Sequence, residues 1–584
     1  MDPVTASVIQ GALENIAVEI GYKLMRMSYS SIIRESEDFG AALVDAEGRG
    51  LAESAQSTPL QSGPIPGYVK NVIATLRARG EAIRPGDVIM HNDPYGGASH
   101  GPDVAFIVPV FHGEELVGFS ATTAHHLDIG ALTPGSCGIV DAIDAYAEGL
   151  QFKAIKVHDA GRRNDAVWQI LRDNLRASDL VVGDMEAQVA ASRIGAERMA
   201  ALVEQWGLPA FRAACGALMD HAERLMRQAI ARLPEGSWRA ETRIDGFLDD
   251  PDPSRRELPL VATVTKRGDG LVVDLTGTAP QVPDRPINMP FTGTVDVAVW
   301  LTVRSVLLDT AVHGHIPVNE GLTRPIEIVA PRGCLANPEF PAPTIARFAP
   351  GNQLADTVMK ALAQAVPGQV SAGIGNLKVI AFSGLRGGSH WVHMEIFEGS
   401  YGGRPGADGM DAVDTLYANT RNNPVEDIES HLPLRVERYE LREGVAGPGR
   451  FRGGLGSVRE FRFLEDGGAS VEGEGHGFRP WGFAGGGDGA PAALTLRRAD
   501  GTARSLPSKA PHMPIRAGDL FVCVGPAGGG YGPPFERDPE AVRADVLDGL
   551  VPAEDARRDY GVVLAADGTV DAAATEAARA KASA

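Results

Sequence analysis

The chain has 584 residues, 44% of them hydrophobic and 22% charged, an ordinary globular composition whose length alone suggests three or four domains. Lys plus Arg at 55 against Asp plus Glu at 75 gives a formal charge of −20, which argues against nucleic acid and anionic membranes as partners. No run approaches the ~18 apolar residues of a membrane span. The N-terminus MDPVTASVIQ lacks a charged n-region with an apolar core, so no secretion signal is expected, and Cys137, Cys215, Cys334 and Cys523 lie far apart without a CxxC, which suits a reduced cytoplasmic setting.

In chain order, Pro3 is followed by Ile9, Leu13, Ile16, Ile20 and Leu24 at helical spacing, which predicts an amphipathic helix over 3–29. AALVD after Asp38 reads as a strand, GYVKNVIATLRAR (67–79) as a second helix stopped by Gly80, and RPGDVIMHND as a turn feeding a strand. That strand delivers the densest polar stretch of the chain, with His91, Asp93, His100, Asp103, His112, His125, His126 and Asp128 in a short span. Between its two ends lie VAFIVPVF and ELVGFSATT, joined by His112-Gly113-Glu114, the pattern of a β-hairpin. A hairpin returns the chain to its start, so His100 and Asp103 are expected beside His125 and His126. Imidazole and carboxylate without thiolate suit one divalent transition ion such as Zn, Mn or Fe. The plainer alternative is a surface hairpin with ordinary polar ends, or histidines satisfied in a core. Adjacent strand residues face opposite sides, so only one of His125 and His126 is expected to reach an ion.

Residues 164–232 read as helical, with His221 a solvated or core residue. RAETRIDG, LVATVTK and LVVDLTG alternate as antiparallel strands, and 294–312 and 353–366 read as helices. HWVHMEIFEG reads as a strand that puts His393 and Glu395 on one face, either extending a pocket or forming an interior pair. After Pro433 the chain is strand-rich. GFAGGGDG and GPAGGGYG lack GxxxxGK[ST] and read as turns, not phosphate loops. With 70 glycines in 584 residues, about 12% against a usual ~7%, close backbone approaches are expected throughout. Two short helices are expected in the tail, and fraying after Asp567. The pattern as a whole predicts an α+β protein: a large mixed metal-binding core with helical insertions and a strand-rich, Gly-rich C-terminal part. The expected divisions are 1–235, 236–432, 433–535 and 536–584.

NDPYGGASHGPDV followed by HHLDIGALTPGS resembles the B-type subunits of the hydantoinase B/oxoprolinase family, which includes related subunits of acetone and acetophenone carboxylases. The resemblance continues through DNLRASDLVVGDMEAQVAA, VNEGLTRPIEI, GGRPGADGMDA, NTRNNPVEDIESHLPLRVERYEL and GPGRFRGGLGSVREF to the segment GGGYGPPFERDPEAVRADVLDGLV. It implies one divalent metal held by His100, Asp103 and His125, with Asp38 as a fourth ligand and Glu35 in reserve. Gly40 and Ala131 depart from the family's usual Ser and Gly, which bears on loop shape rather than on ligands. An ion with an open position polarises a carbonyl and lowers the pKa of water toward ~7. His126, Asp128 and Asp93 are then the candidate catalytic residues, orienting a ligand or moving a proton. The resemblance further implies that ATP is used by a partner A-type subunit, which phosphorylates the substrate. Arg347, Arg404 and Arg421 are candidates for handling phosphate. Two activities stay open: ring opening of a hydantoin- or 5-oxoproline-type cyclic amide, and ATP-dependent ketone carboxylation. A scaffold with a vestigial site is the third reading.

Overall fold

The structure is a computed structural model describing residues 2–136 and 140–582. Cys137 lies outside the described residues, while Cys215, Cys334 and Cys523 are buried and free.

The first helix, Pro3–Met27, starts where Asp2 accepts from the N–H groups of Val4 and Thr5, with proline in the first turn. Its stripe of Ile9, Leu13, Ile16, Ile20 and Leu24 is buried, in one core with apolar residues of the helix Ser178–Trp206. The two helices approach at Gly195, where an added Cβ would lie 2.3 Å from both Ile20 Cδ1 and Ser120 Oγ.

Beneath them lies a seven-stranded antiparallel sheet of β1 (Phe39–Asp45), β2 (Gly50–Glu53), β3 (Val88–His91), β4 (Asp103–His112), β5 (Glu115–His125), β6 (Ile155–Asp159) and β7 (Arg162–Arg163). Their order is β2-β1-β5-β4-β3-β6-β7. The expected hairpin is β4–β5, and its register sets Asp103 opposite His125. Both faces are buried, which explains the near-continuous apolar run of β4. Phe39, Ala41 and Leu43 of β1 and Val104, Phe106 and Val108 of β4 share the core of the two long helices. Ala42, Val44, Ala105, Ile107, Phe119 and Ala121 face the helix Ile65–Arg79 through Tyr68, Val69, Val72 and Leu76. By the same alternation Asp38, Asp103 and His125 belong to this second face and His126 to the first.

The strands Ser237–Ile244, Leu258–Arg267 and Gly270–Asp274 pair antiparallel, with Ile326–Val329 added parallel at the edge. A third sheet joins Lys378–Arg386 and Ser389–Phe397 to Gly467–Gly473 and Ala510–Ile515, so it takes strands from either side of Pro433. A fourth holds Leu434–Leu441, Ser457–Phe463, Leu520–Val524, Ala493–Arg497 and Ala503–Ser505. The third and fourth sheets share a core of Phe382, Phe397, Phe461, Phe463 and Phe521. The other side of the third sheet, with Val379, Ala381, Val392, Met394 and Ile396, joins the main core.

The glycine-rich segments are not phosphate loops. Backbone hydrogen bonds link Gly447 and Gly454 to Gly528, Gly487 to Gly530, and Gly373 and Gly403 to Gly529. A Cβ on Gly528 would lie 2.2 Å from Tyr401 O, and one on Gly453 1.9 Å from Gly528 O, so the loops stack backbone on backbone. The tail differs from expectation. After the helices Pro539–Leu547 and Ala553–Tyr560, residues Ala572–Ala582 form a third helix, because Arg579 reaches back to the carbonyls of Tyr560 and Arg537. Among the described residues no helix is long and apolar enough to cross a membrane.

Candidate metal centre

At the end of the β4–β5 hairpin three potential ligand atoms converge. His100 Nε2 lies 2.9 Å from Asp103 Oδ1 and 3.2 Å from His125 Nδ1, and His125 Nδ1 lies 3.1 Å from Asp103 Oδ1. All three residues are buried, and among the described residues they form a group that could hold a metal ion. The remaining ring nitrogens define the protonation. His100 Nδ1 lies 2.8 Å from the Ile345 carbonyl, an acceptor only, so Nδ1 carries the proton and Nε2 a lone pair. His125 Nε2 faces Met394 Sδ at 3.1 Å, a weak acceptor, which leaves the Nδ1 lone pair free for a cation. Burial and the nearby Arg347 charge push His100 down to about 4, so it is neutral at pH 7. With each ring carrying its proton on the outer nitrogen, two imidazole lone pairs and a carboxylate oxygen would face one point and be offered to a cation. Atoms bound at about 2.0–2.2 Å to one ion and subtending near right angles lie about 3 Å apart, so the residues fit a divalent cation.

Two neighbours hold Asp103. Arg347 Nη2 donates to Oδ2 at 2.9 Å and Gln61 Nε2 to Oδ1 at 2.9 Å. Burial opposes ionisation, but His100 and the Arg347 guanidinium keep the Asp103 carboxyl well below the usual carboxylate range. Asp38 stands across His125 on the neighbouring strand, its carbonyl accepting from His125 N at 3.2 Å. Its Oδ1 accepts from the same Gln61 Nε2 at 3.0 Å. It lines the same cavity as His100 and His125 but stands outside the three-residue group. Burial, with Asp103 adding to it, pushes the Asp38 carboxyl up to about 6. Gln61 reaches both acids because Gly40 lets the short helix Pro59–Ser62 lie against β1. A Cβ on Gly40 would sit 2.6 Å from the Gln61 carbonyl carbon. The cavity beside these groups is about 30 Å³, walled by Ile32, Leu60, Phe348, Met394 and Ile396 and edged by Glu472.

The other expected residues lie elsewhere. His126 points to the opposite face, where its Nε2 meets Gln188 Oε1 at 2.8 Å, and burial pushes it down to about 4. Asp128 is buried against Arg176 at 3.0 Å and accepts from the Gly130 N–H. Asp93 caps the turn at Tyr95 and pairs with Lys153 at 3.1 Å. Glu35 pairs with Arg34, Arg421 with Glu37 at 3.0 Å, and Arg404 is exposed. His393 and Glu395 form an interior pair at 2.7 Å on the side of their strand away from Met394. Glu395 is paired again by Arg459, fully buried, which also lies 3.5 Å from Glu398. Burial alone would raise Glu395; Arg459 and His393 hold it at about 2. No sequence signal marks Gln61, Met394 or the Ile345 carbonyl.

The Ile345 carbonyl is held in turn by Glu148, which accepts from the N–H groups of Thr344 at 2.5 Å and Ile345 at 2.6 Å. Burial pushes the Glu148 carboxyl from 4.5 up to about 8. The folded state therefore keeps a proton that the unfolded chain releases. Its contribution is fully present below pH 4.5 and is lost as pH rises toward about 8. Glu148→Gln is expected to remove this slope, at most about 1.4 kcal/mol per pH unit. Thermal midpoints of the two proteins across that range test it: the variant gains relative to the native chain as pH rises.

Comparison with known proteins bears on the family and the fold. The family model described as Hydantoinase B/oxoprolinase matches residues 2–534. A protein of Pseudomonas sp. (strain NS671), named as the putative B-type subunit of a D-/L-hydantoinase, is 60% identical over 98% of this chain and 97% of its own length. The crystal structure of an ATP-dependent caprolactamase from Pseudomonas jessenii superposes with a TM-score of 0.89 at 30% identity, covering 99% of this chain and 100% of that one. A nucleotide-free acetone carboxylase superposes with a TM-score of 0.90 over 100% of this chain and 83% of its own, but at 19% identity that likeness shows the fold alone. The α+β fold is thus shared with these proteins, and the chain belongs to the hydantoinase B/oxoprolinase family.

Proposed function

We propose that this chain is the metal-bearing subunit of an ATP-dependent cyclic amide hydrolase, opening a hydantoin- or 5-oxoproline-type ring after a partner A-type subunit has phosphorylated the substrate. The carrying observation is the convergence of His100 Nε2, Asp103 Oδ1 and His125 Nδ1, in a chain whose 60%-identical relative is named for a hydantoinase. His100, Asp103 and His125, with Asp38 as the fourth ligand, would hold one divalent transition metal (Zn, Mn or Fe), which when bound polarises a carbonyl and lowers the pKa of water toward ~7.

The chain's own groups supply the rest. Arg347, fixed by Asp103 and by Ser99 Oγ at 2.8 Å, presents positive charge to an oxygen that gains negative charge as the ring opens. Glu472 edges the cavity while its Oε1 accepts from the Ala349 N–H, and burial raises its carboxyl. It is the candidate to hand a proton to the leaving ring nitrogen as the C–N bond breaks. Leu60, Phe348 and Ile396 keep bulk water out. Gln61 aims its NH2 at both Asp38 and Asp103 and leaves its Oε1 without a partner, so one amide sets the spacing of two acids. In this reading His126, Asp128 and Asp93 secure the segments around the hairpin. The 30 Å³ cavity holds about one water, so substrate enters by displacing its apolar wall.

The ketone carboxylase reading has a shared fold behind it and no more. The test is the purified pair of this chain with its A-type partner and ATP. Ring-opened product from a hydantoin or 5-oxoproline, with phosphate release, is expected. Turnover only with a ketone plus bicarbonate would overturn the assignment.

A further inference from the structure

A second cavity, of about 440 Å³, lies on the other side of the short helix Pro59–Ser62 from the metal centre. Pro59 and Ser62 wall this larger cavity, whereas Leu60 walls the metal cavity. Its volume falls in the range of small-molecule sites, and nothing in the hydrolytic reading uses it.

The lining is chiefly apolar, from Pro66, Val297, Trp300, Leu301, Ile326 and Ile328. Five charged side chains reach it, and four are matched. Glu53 faces Arg304 at 3.7 Å, and Glu320 accepts from Lys70 at 2.5 Å. The fifth, Asp296, is 7% exposed. Its Oδ1 accepts from the N–H groups of Gly293 at 2.8 Å and Val297 at 2.7 Å, which leaves Oδ2 without a partner among the described residues. An otherwise matched apolar chamber therefore carries one carboxylate oxygen with an open acceptor position. A buried carboxylate is stabilised by a charged or hydrogen-bonding complement, and the Trp300 indole on the wall adds a π face to which a cation is attracted.

We infer that this cavity is a binding site for a small organic ammonium with an apolar body, held by Asp296 Oδ2 and the Trp300 wall. It is separate from the metal cavity and independent of the reading of that centre. The probes are 2-phenylethylammonium and its neutral isostere 2-phenylethanol, titrated against the full chain by tryptophan fluorescence and calorimetry. The ammonium is expected to bind saturably and about tenfold or more tighter than the alcohol, about 1.4 kcal/mol. Asp296→Asn keeps the oxygen that caps Gly293 and Val297 and is expected to abolish this preference. Ile328→Trp fills the chamber and is expected to weaken both probes. His100→Ala is expected to leave binding unchanged. Equal affinity for the two probes, or an ammonium preference that survives Asp296→Asn, or no saturable binding at all, overturns the inference. Should Asp296→Asn fail to fold, the two probes and Ile328→Trp decide it alone.

Discussion

His100→Ala is expected to yield a folded protein with less than a tenth of the native metal content. Loss of a residue that merely orients a ligand already costs about 10–100-fold in affinity, and His100 contributes one of three converging donor atoms itself. The fold should survive, because His100 sits in the loop before β4 and makes no strand pairing there. Metal analysis of purified protein beside a thermal melt checks both halves. Native occupancy in the variant would refute the ligand assignment and with it the hydrolytic mechanism.

Arg459→Met is expected to destabilise the fold by roughly 3–5 kcal/mol. Arg459 is fully buried and serves two acids, Glu395 and Glu398, while its guanidinium lies 4.3 Å from the Tyr439 ring centroid and 4.8 Å from that of Phe397. Methionine fills much of the volume but leaves Glu395 without its cation, and breaking one side of a buried pair costs roughly 3–5 kcal/mol. Burial already pushes Glu398 up to about 7, so it loses least. Adding Glu395→Gln should recover a large part of the loss, since the stranded charge rather than the missing packing dominates. Denaturation midpoints of the native chain, the single variant and the double variant measure this. Additive losses would show that packing, not charge, is what Arg459 contributes.

The hairpin is legible in the sequence because two apolar runs bracket a short turn, and because its polar ends are the only dense ones. Register does the rest: Asp103 opposite His125 follows from strand lengths, and the exclusion of His126 follows from strand alternation. Asp38 is reached only through resemblance, since its nearness to His125 depends on β1 pairing with β5 across a long sequence gap. Gln61, Met394 and the Ile345 carbonyl stay hidden for the same reason. Each is brought in by tertiary packing from a segment with no local pattern of its own. Arg347 is one of three arginines expected to handle phosphate, with no motif to choose among them, and the structure places it on Asp103. His393 and Glu395 can be set on one face but not assigned a side, because their partner Arg459 arrives from a different sheet. The C-terminal helix escapes the sequence because its anchor, Arg579, acts through backbone carbonyls that no composition reveals.

The stacked glycine loops bear on how the polypeptide matures. Gly373, Gly403, Gly454 and Gly487 are spaced widely along the chain, yet each exchanges a backbone hydrogen bond with the short run Gly528–Gly530. Ring-closure entropy must be met before any of those bonds can form, so this layer zips up late. Until residues 528–530 have been synthesised, the four earlier segments have only water to satisfy the backbone groups that this layer later pairs.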